Sequence, residues 1–137
     1  MDKRILVATD GAEHSRIAIS NATDLARRAG AELIVALVNV ALGGIRGPLL
    51  YSHEDAEAQS IVHLGAEEAR RAGVATVKEV VIASREADSG IVQYADEKKV
   101  DHIVVGTGDK GGVSRLVLGS VAADIARRAH CTVTIAR

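Results

Sequence analysis

Aromatic residues are nearly missing from this chain: among its 137 residues there is no Phe, no Trp and only two Tyr. Platforms for stacking bases are therefore scarce, and a formal net charge of −1 offers no basic face to a phosphate backbone, so nucleic-acid binding is not expected. Cysteine occurs once, as Cys131, which excludes an internal disulfide and leaves no second thiol at a metal-ligand spacing. No apolar run approaches the roughly 20 residues that cross a bilayer, so no membrane partner is expected. Met1 to Arg4 leads straight into a short apolar strand, with no signal-peptide core or cleavage site behind it. Together these absences point to a reducing cytoplasm.

What is present is aliphatic. Apolar residues make up 47% of the chain and charged residues 26%, a balance that suits one compact soluble domain over residues 1–137. With Val, Ile, Leu and Ala as its core material, the chain suits buried parallel strands with Ala-rich helices packed on them. The order of elements agrees. Arg4 to Thr9 is a short β-branched run stopped by Asp10-Gly11, and Ala12 to Ala29 carries apolar residues at a helical period up to the stop at Gly30. Strands follow at Glu32 to Val40, Val77 to Ala83, Asp101 to Val105 and Thr132 to Ala136. Helices intervene at about Glu54 to Ala72, Asp88 to Lys98 and Ser120 to Ala129.

Five strands alternating with four helices predict a three-layer, doubly wound α/β domain, because parallel neighbours need crossovers and right-handed crossovers place helices on both faces. Ligands of such sheets sit at the carboxyl ends of the strands, where the strand order reverses. The segment Leu42 to Ser52 holds the single proline and three glycines, and a connection so long and loose is expected to be a lid or disordered.

The segment with the most chemistry is Gly106-Thr107-Gly108-Asp109-Lys110-Gly111-Gly112, followed by Gly119-Ser120-Val121. Glycines let backbone N–H groups approach phosphate oxygens, and a helix starting near Ser120 presents free N–H groups and a positive dipole end. An ordinary strand-to-helix loop with a serine cap explains the same spacing, so both readings stand. It is neither a P-loop, since no Gly-Lys-Ser or Gly-Lys-Thr closes it, nor a dinucleotide fingerprint, since it follows the fourth strand.

What it resembles is the universal stress protein family, whose nucleotide-binding members carry a glycine, two residues, a glycine, nine residues, then Gly-Ser or Gly-Thr. Gly106 fills the first position, residues 110–118 the spacer and Gly119-Ser120 the end; Asp109 stands where the second glycine would be. Ile5 to Gly11, Asp101 to Gly106 and Arg115 to Ala122 are similar to that family's first strand and turn, fourth strand and last loop, so the resemblance spans the chain.

The resemblance implies a Rossmann-like sheet of five parallel strands in the order 3-2-1-4-5. It also implies a stress-response sensor or regulator that binds ATP or another adenine nucleotide, and a homodimer formed through the C-terminal strand. Ala8, Thr9 and Asp10 would lie against ribose and adenine, Val38 would meet the base through its backbone, and Val105 and Gly106 would line the other side. Gly119, Ser120 and Val121 would hold phosphates, with Gly108 in the flexible loop.

Other residues carry weaker signals. Asp109 repels phosphates unless a cation intervenes, and Lys110 stands beside it; without such a cation Asp109 favours the alternative of a partner-binding dimer that has lost the ligand. Asp10 could accept ribose hydroxyls or hold a nucleotide-bound magnesium ion, or it could cap the first helix. Slow nucleotide hydrolysis would need a base, for which Asp10 with magnesium is the one candidate. Of the five histidines, His14, beside Ser15, is placed to look into the site, and most of the others read as solvated surface. Cys131 reads as a small packing residue.

Overall fold

A computed structural model describes residues 3–107 and 119–137. The chain runs β1 (Arg4–Ala8), α1 (Glu13–Ala29), β2 (Glu32–Gly43), β3 (Leu49–Tyr51), α2 (Asp55–Arg71), β4 (Val77–Ser84), α3 (Ala87–Glu97), β5 (His102–Gly106), α4 (Ser120–Arg128) and β6 (Thr132–Ala136). Its sheet pairs β4 with β2, β2 with β1, β1 with β5 and β5 with β6, all in parallel. Among the strands foreseen from sequence this is the order third, second, first, fourth, fifth.

The sheet divides the core into two layers by the period-2 alternation of its strands. Ile5, Val7, Leu33, Val35 and Leu37 face α1 and α2, where they meet Ala18, Ala22, Ala58, Val62 and Ala66. Leu6, Ile34, Ala36, Ile103 and Val105 point the other way, toward Ile91, Ala95, Ala122 and Ile125 of α3 and α4. Small helix residues let the backbones come close to the sheet, which is how an aliphatic core fills without aromatic volume. Gly65 shows the limit: a Cβ there would lie 3.0 Å from Ile19 Cδ1 and 3.1 Å from Val35 Cγ1.

One expectation is corrected. Leu42 to Ser52 is not disordered: β2 runs on to Gly43, and the chain returns as the short antiparallel strand β3, making a sixth strand. The anchor is Asn39, buried at 3% exposure. Its Oδ1 accepts from His53 N–H at 2.9 Å and from Ser52 Oγ at 3.2 Å, and its Nδ2 donates to His53 O at 2.9 Å. A single buried amide thus satisfies the backbone that leaves the hairpin, an interaction across fourteen positions that local pattern does not reveal.

Candidate functional site

β1 lies between β2 and β5, so it marks the point where the strand order reverses. The end of β1 is shaped by a turn. Gly11 has φ +83, a left-handed conformation that favours glycine, and its N–H donates to Thr9 Oγ1 at 3.2 Å. Asp10 Oδ1 accepts from Ala12 N–H at 2.9 Å and from Ser15 Oγ at 2.8 Å, so the carboxylate braces the entry to α1. Its other oxygen lies 3.2 Å from His14 Nε2. Partial burial raises the pKa of Asp10, but the Ala12 N–H bond, the Ser15 hydroxyl and the His14 ring outweigh it and hold the carboxyl below its ordinary value.

At the end of β5, Gly106 meets the first turn of α1 so closely that a Cβ would lie 2.6 Å from both His14 Nδ1 and the His14 carbonyl oxygen. Only glycine fits without a shift of backbone. That contact buries His14 Nδ1, which has no hydrogen-bond partner among the described residues. Just beyond, Gly119 N–H donates to Thr107 O at 2.7 Å, which ties together the two residues flanking 108–118. α4 then begins with Gly119 in an extended conformation (φ −65, ψ 156), with no side-chain cap among the described residues, and its first N–H groups point toward the strand ends.

These ends enclose a cavity of about 250 Å³ lined by Ala8, Thr9, Asp10, Val38, Val105, Gly106, Gly119, Ser120 and Val121. All nine were singled out in the sequence; the tenth, Gly108, lies outside the described residues, as do Asp109 and Lys110. His14 and Ser15 line the same cavity, as their place in the first turn of α1 suggested. Ala12, Ala87, Ile91 and Ala122 join them. Ala87 and Ile91 were missed, although the rule that puts ligands at strand ends also brings in the helix after β4. Two larger open grooves of about 760 Å³ lie elsewhere, one along the outer face of α1 and one at the amino ends of the strands. Both are rich in charged residues already paired with neighbours, such as Arg27 with Asp24 and Lys78 with Glu32. The smaller cavity alone among these three combines an apolar floor with the start of α4.

The remaining polar groups are spent on structure. Among the described residues no three His, Cys, Asp or Glu side chains gather as a metal site. His53 pairs with Glu57, His63 with Glu79 and His130 with Asp96. His102 Nε2 and Thr134 Oγ1 are 2.6 Å apart across β5 and β6, and burial and the Lys3 charge lower the pKa of that ring. Cys131 packs against the α3 and α4 layer, and burial raises its pKa. Arg128 binds buried Asp88 at 2.7 Å, joining α4 to α3. No helix among the described residues is long and apolar enough to cross a membrane.

Comparison with known proteins agrees with this arrangement. The model of the universal stress protein family matches residues 1–137. The chain belongs to the universal stress protein family. It is 33% identical to universal stress protein Rv1636 of Mycobacterium tuberculosis over 150 aligned positions, covering 97% of this chain and 94% of that one. With universal stress protein MJ0531 of Methanocaldococcus jannaschii it shares 32% identity, over 98% and 82% of the two chains. Among solved structures, a universal stress protein in complex with cAMP superposes with a TM-score of 0.78 at 27% identity, covering 99% and 97% of the chains. The Archaeoglobus fulgidus universal stress protein in complex with dAMP superposes with a TM-score of 0.76 at 25% identity, covering 98% of each.

Proposed function

We propose that this universal stress protein is a cytoplasmic, single-domain sensor or regulator that binds an adenine nucleotide of the ATP, ADP or AMP class in the cavity at the ends of β1, β2 and β5. The observation that carries the reading is a cavity at the strand ends where the start of α4, without a side-chain cap among the described residues, meets an apolar slot. Val38, Ile91 and Val105 supply a surface for a purine, Thr9 and Asp10 supply polar groups for a ribose, and the N–H groups at Ser120 and Val121 supply donors for phosphate. The cAMP and dAMP complexes of similar chains support an adenine ligand.

Magnesium would enter with the phosphates. Asp10 is the carboxylate at hand; its Oδ1 accepts from Ala12 and Ser15 and its Oδ2 lies 3.2 Å from His14 Nε2, so Oδ2 would reach the ion by exchanging its contact with His14. Bound magnesium would neutralise phosphate charge.

Homodimerisation through β6 belongs to the same proposal. Among the described residues β6 pairs only with β5, and its outer edge carries the half-buried Val133 and Ile135 with no charge before Arg137. Nucleotide occupancy would then alter the surface that the dimer presents to other proteins.

Titration calorimetry with ATP, ADP, AMP and cyclic AMP tests the ligand. Binding of at least one is expected, and Gly119→Val should abolish it by placing a branched side chain at the helix start. No heat with any of the four at millimolar concentration would refute the reading. The β6 interface is tested by light scattering of Val133→Lys with Ile135→Lys, which should give a smaller species.

A further inference from the structure

Asp10 is the one carboxylate among the described residues that line the cavity, and no Lys or Arg joins it there. A triphosphate in this place would offset its charge through a divalent ion held between its own oxygens and Asp10. The hydrogen bonds of Asp10 oppose that arrangement. Asp10 N–H donates to Ser15 Oγ at 3.1 Å, and the same hydroxyl donates back to Asp10 Oδ1 at 2.8 Å. Ser15 is buried, so withdrawing Oδ1 would strand its hydroxyl proton. Ala12 N–H also donates to Oδ1, at 2.9 Å, which fills the second lone pair of that oxygen.

Oδ2 is what remains, and His14 Nε2 lies 3.2 Å from it. A carboxylate oxygen only accepts, so the hydrogen of this contact sits on Nε2 and is aimed at the oxygen that an ion would need. Packing favours the ring in that position. His14 Nδ1 is buried without a hydrogen-bond partner among the described residues, and Gly106 comes so close that a Cβ there would lie 2.6 Å from it. Turning the ring off Oδ2 gives up this contact with the end of β5 and leaves Nε2–H in search of another acceptor. Magnesium is a demanding competitor for such a corner, because it requires a near-ideal octahedron and sheds its waters reluctantly.

We propose that His14 sets the metal preference of this site: by holding Asp10 Oδ2 it favours a nucleotide with one phosphate and no divalent ion over a magnesium-bound triphosphate. This role rests on the nucleotide reading and narrows it to a ligand class. One phosphate needs no bridging ion here, since the first N–H groups of α4 point toward the strand ends. The side chain of Asp10 is 57% exposed, so solvent screens its contact with His14, and the preference amounts to about fivefold rather than orders of magnitude.

Two measurements test it. Calorimetry of ATP binding with magnesium and again with EDTA gives each variant a magnesium factor, the ratio of its two affinities, in which a merely structural effect of the substitution cancels. That factor should be about fivefold larger in His14→Ala than in wild type, because Oδ2 is released, and should fall back when Asp10→Asn is added. Equal factors in wild type and His14→Ala, or a gain that survives Asp10→Asn, would overturn the proposal. The second measurement needs no nucleotide. As manganese(II) is added to the free protein, the NMR amide signals of Ala12 and Ser15 should broaden at lower metal concentration in His14→Ala than in wild type. Identical broadening removes His14 from this role whether or not any nucleotide binds. Broadening that differs as expected, with no heat from any nucleotide, would uphold His14 as the guard of Asp10 and refute the nucleotide reading alone.

Discussion

Gly106→Ala is the sharpest perturbation of the site, because two effects of opposite sign compete and the geometry decides between them. Gly106 does not need a positive φ, so alanine is free of backbone strain, and removing glycine from a strand should by itself stabilise by about 0.5–1 kcal/mol. Against this, the new Cβ would lie 2.6 Å from the His14 ring and 2.6 Å from the His14 carbonyl oxygen. The ring can turn, but the carbonyl belongs to the first turn of α1, which Asp10 and Ser15 hold in place. Relieving the overlap means moving the end of β5 away from α1, an overpacking cost of about 1–3 kcal/mol. The net expectation is a loss of roughly 1–2 kcal/mol, or a drop of about 1 M in the urea midpoint at an ordinary m-value. His14→Ala in the same background should recover only part of it, since the carbonyl remains. Urea denaturation followed by circular dichroism reads both. A Gly106→Ala protein as stable as wild type, or more so, would refute the close-packing argument, as would full rescue by His14→Ala.

Asn39→Ala should cost about 1–3 kcal/mol by stranding the His53 backbone groups, with hydrogen exchange at Ser52 and His53 accelerated before the rest of the sheet; unchanged protection there would remove Asn39 as the anchor. Asp10 has a folded pKa below its unfolded value of about 3.9, so its contribution is complete above that value and is lost as pH falls through the lower one. The stability gap between wild type and Asp10→Asn should therefore be level above about pH 4 and close in stronger acid. A gap that widens in acid would contradict that. His102 is also held below its unfolded value of about 6.5. Its contribution is thus full above that pH and declines as pH falls toward the folded value, which NMR titration of its ring should place under 6.5. Asp109→Gly should tighten ATP more than AMP, and equal effects on both would show that this carboxylate does not face the phosphates.

Local pattern alone determined a good deal of this protein. Ile5 to Val7 and Leu33 to Leu37 declare buried strands because a strand covered on both faces must be apolar at every position. Their alternation with Ala-rich helices leaves parallel crossovers as the economical topology. Gly106, Gly119 and Ser120 were legible as candidate site residues for a related reason: close backbone approach and a helix start at a strand end favour particular residue types at particular places. What tertiary structure decided are the contacts between distant segments. Asn39 reads as an ordinary polar residue late in a strand, yet its bonds to Ser52 and His53 turn an apparent loose loop into an antiparallel hairpin. Ala87 and Ile91 follow from the strand order, since β4 lies beside β2 and delivers the start of α3 to the cavity, but which of that helix's side chains reach it is set by packing. The requirement for glycine at 106 is likewise set by an imidazole and a carbonyl from position 14. Periodicity records which face of an element is covered, whereas which atoms cover it depends on how the crossovers bring remote segments together.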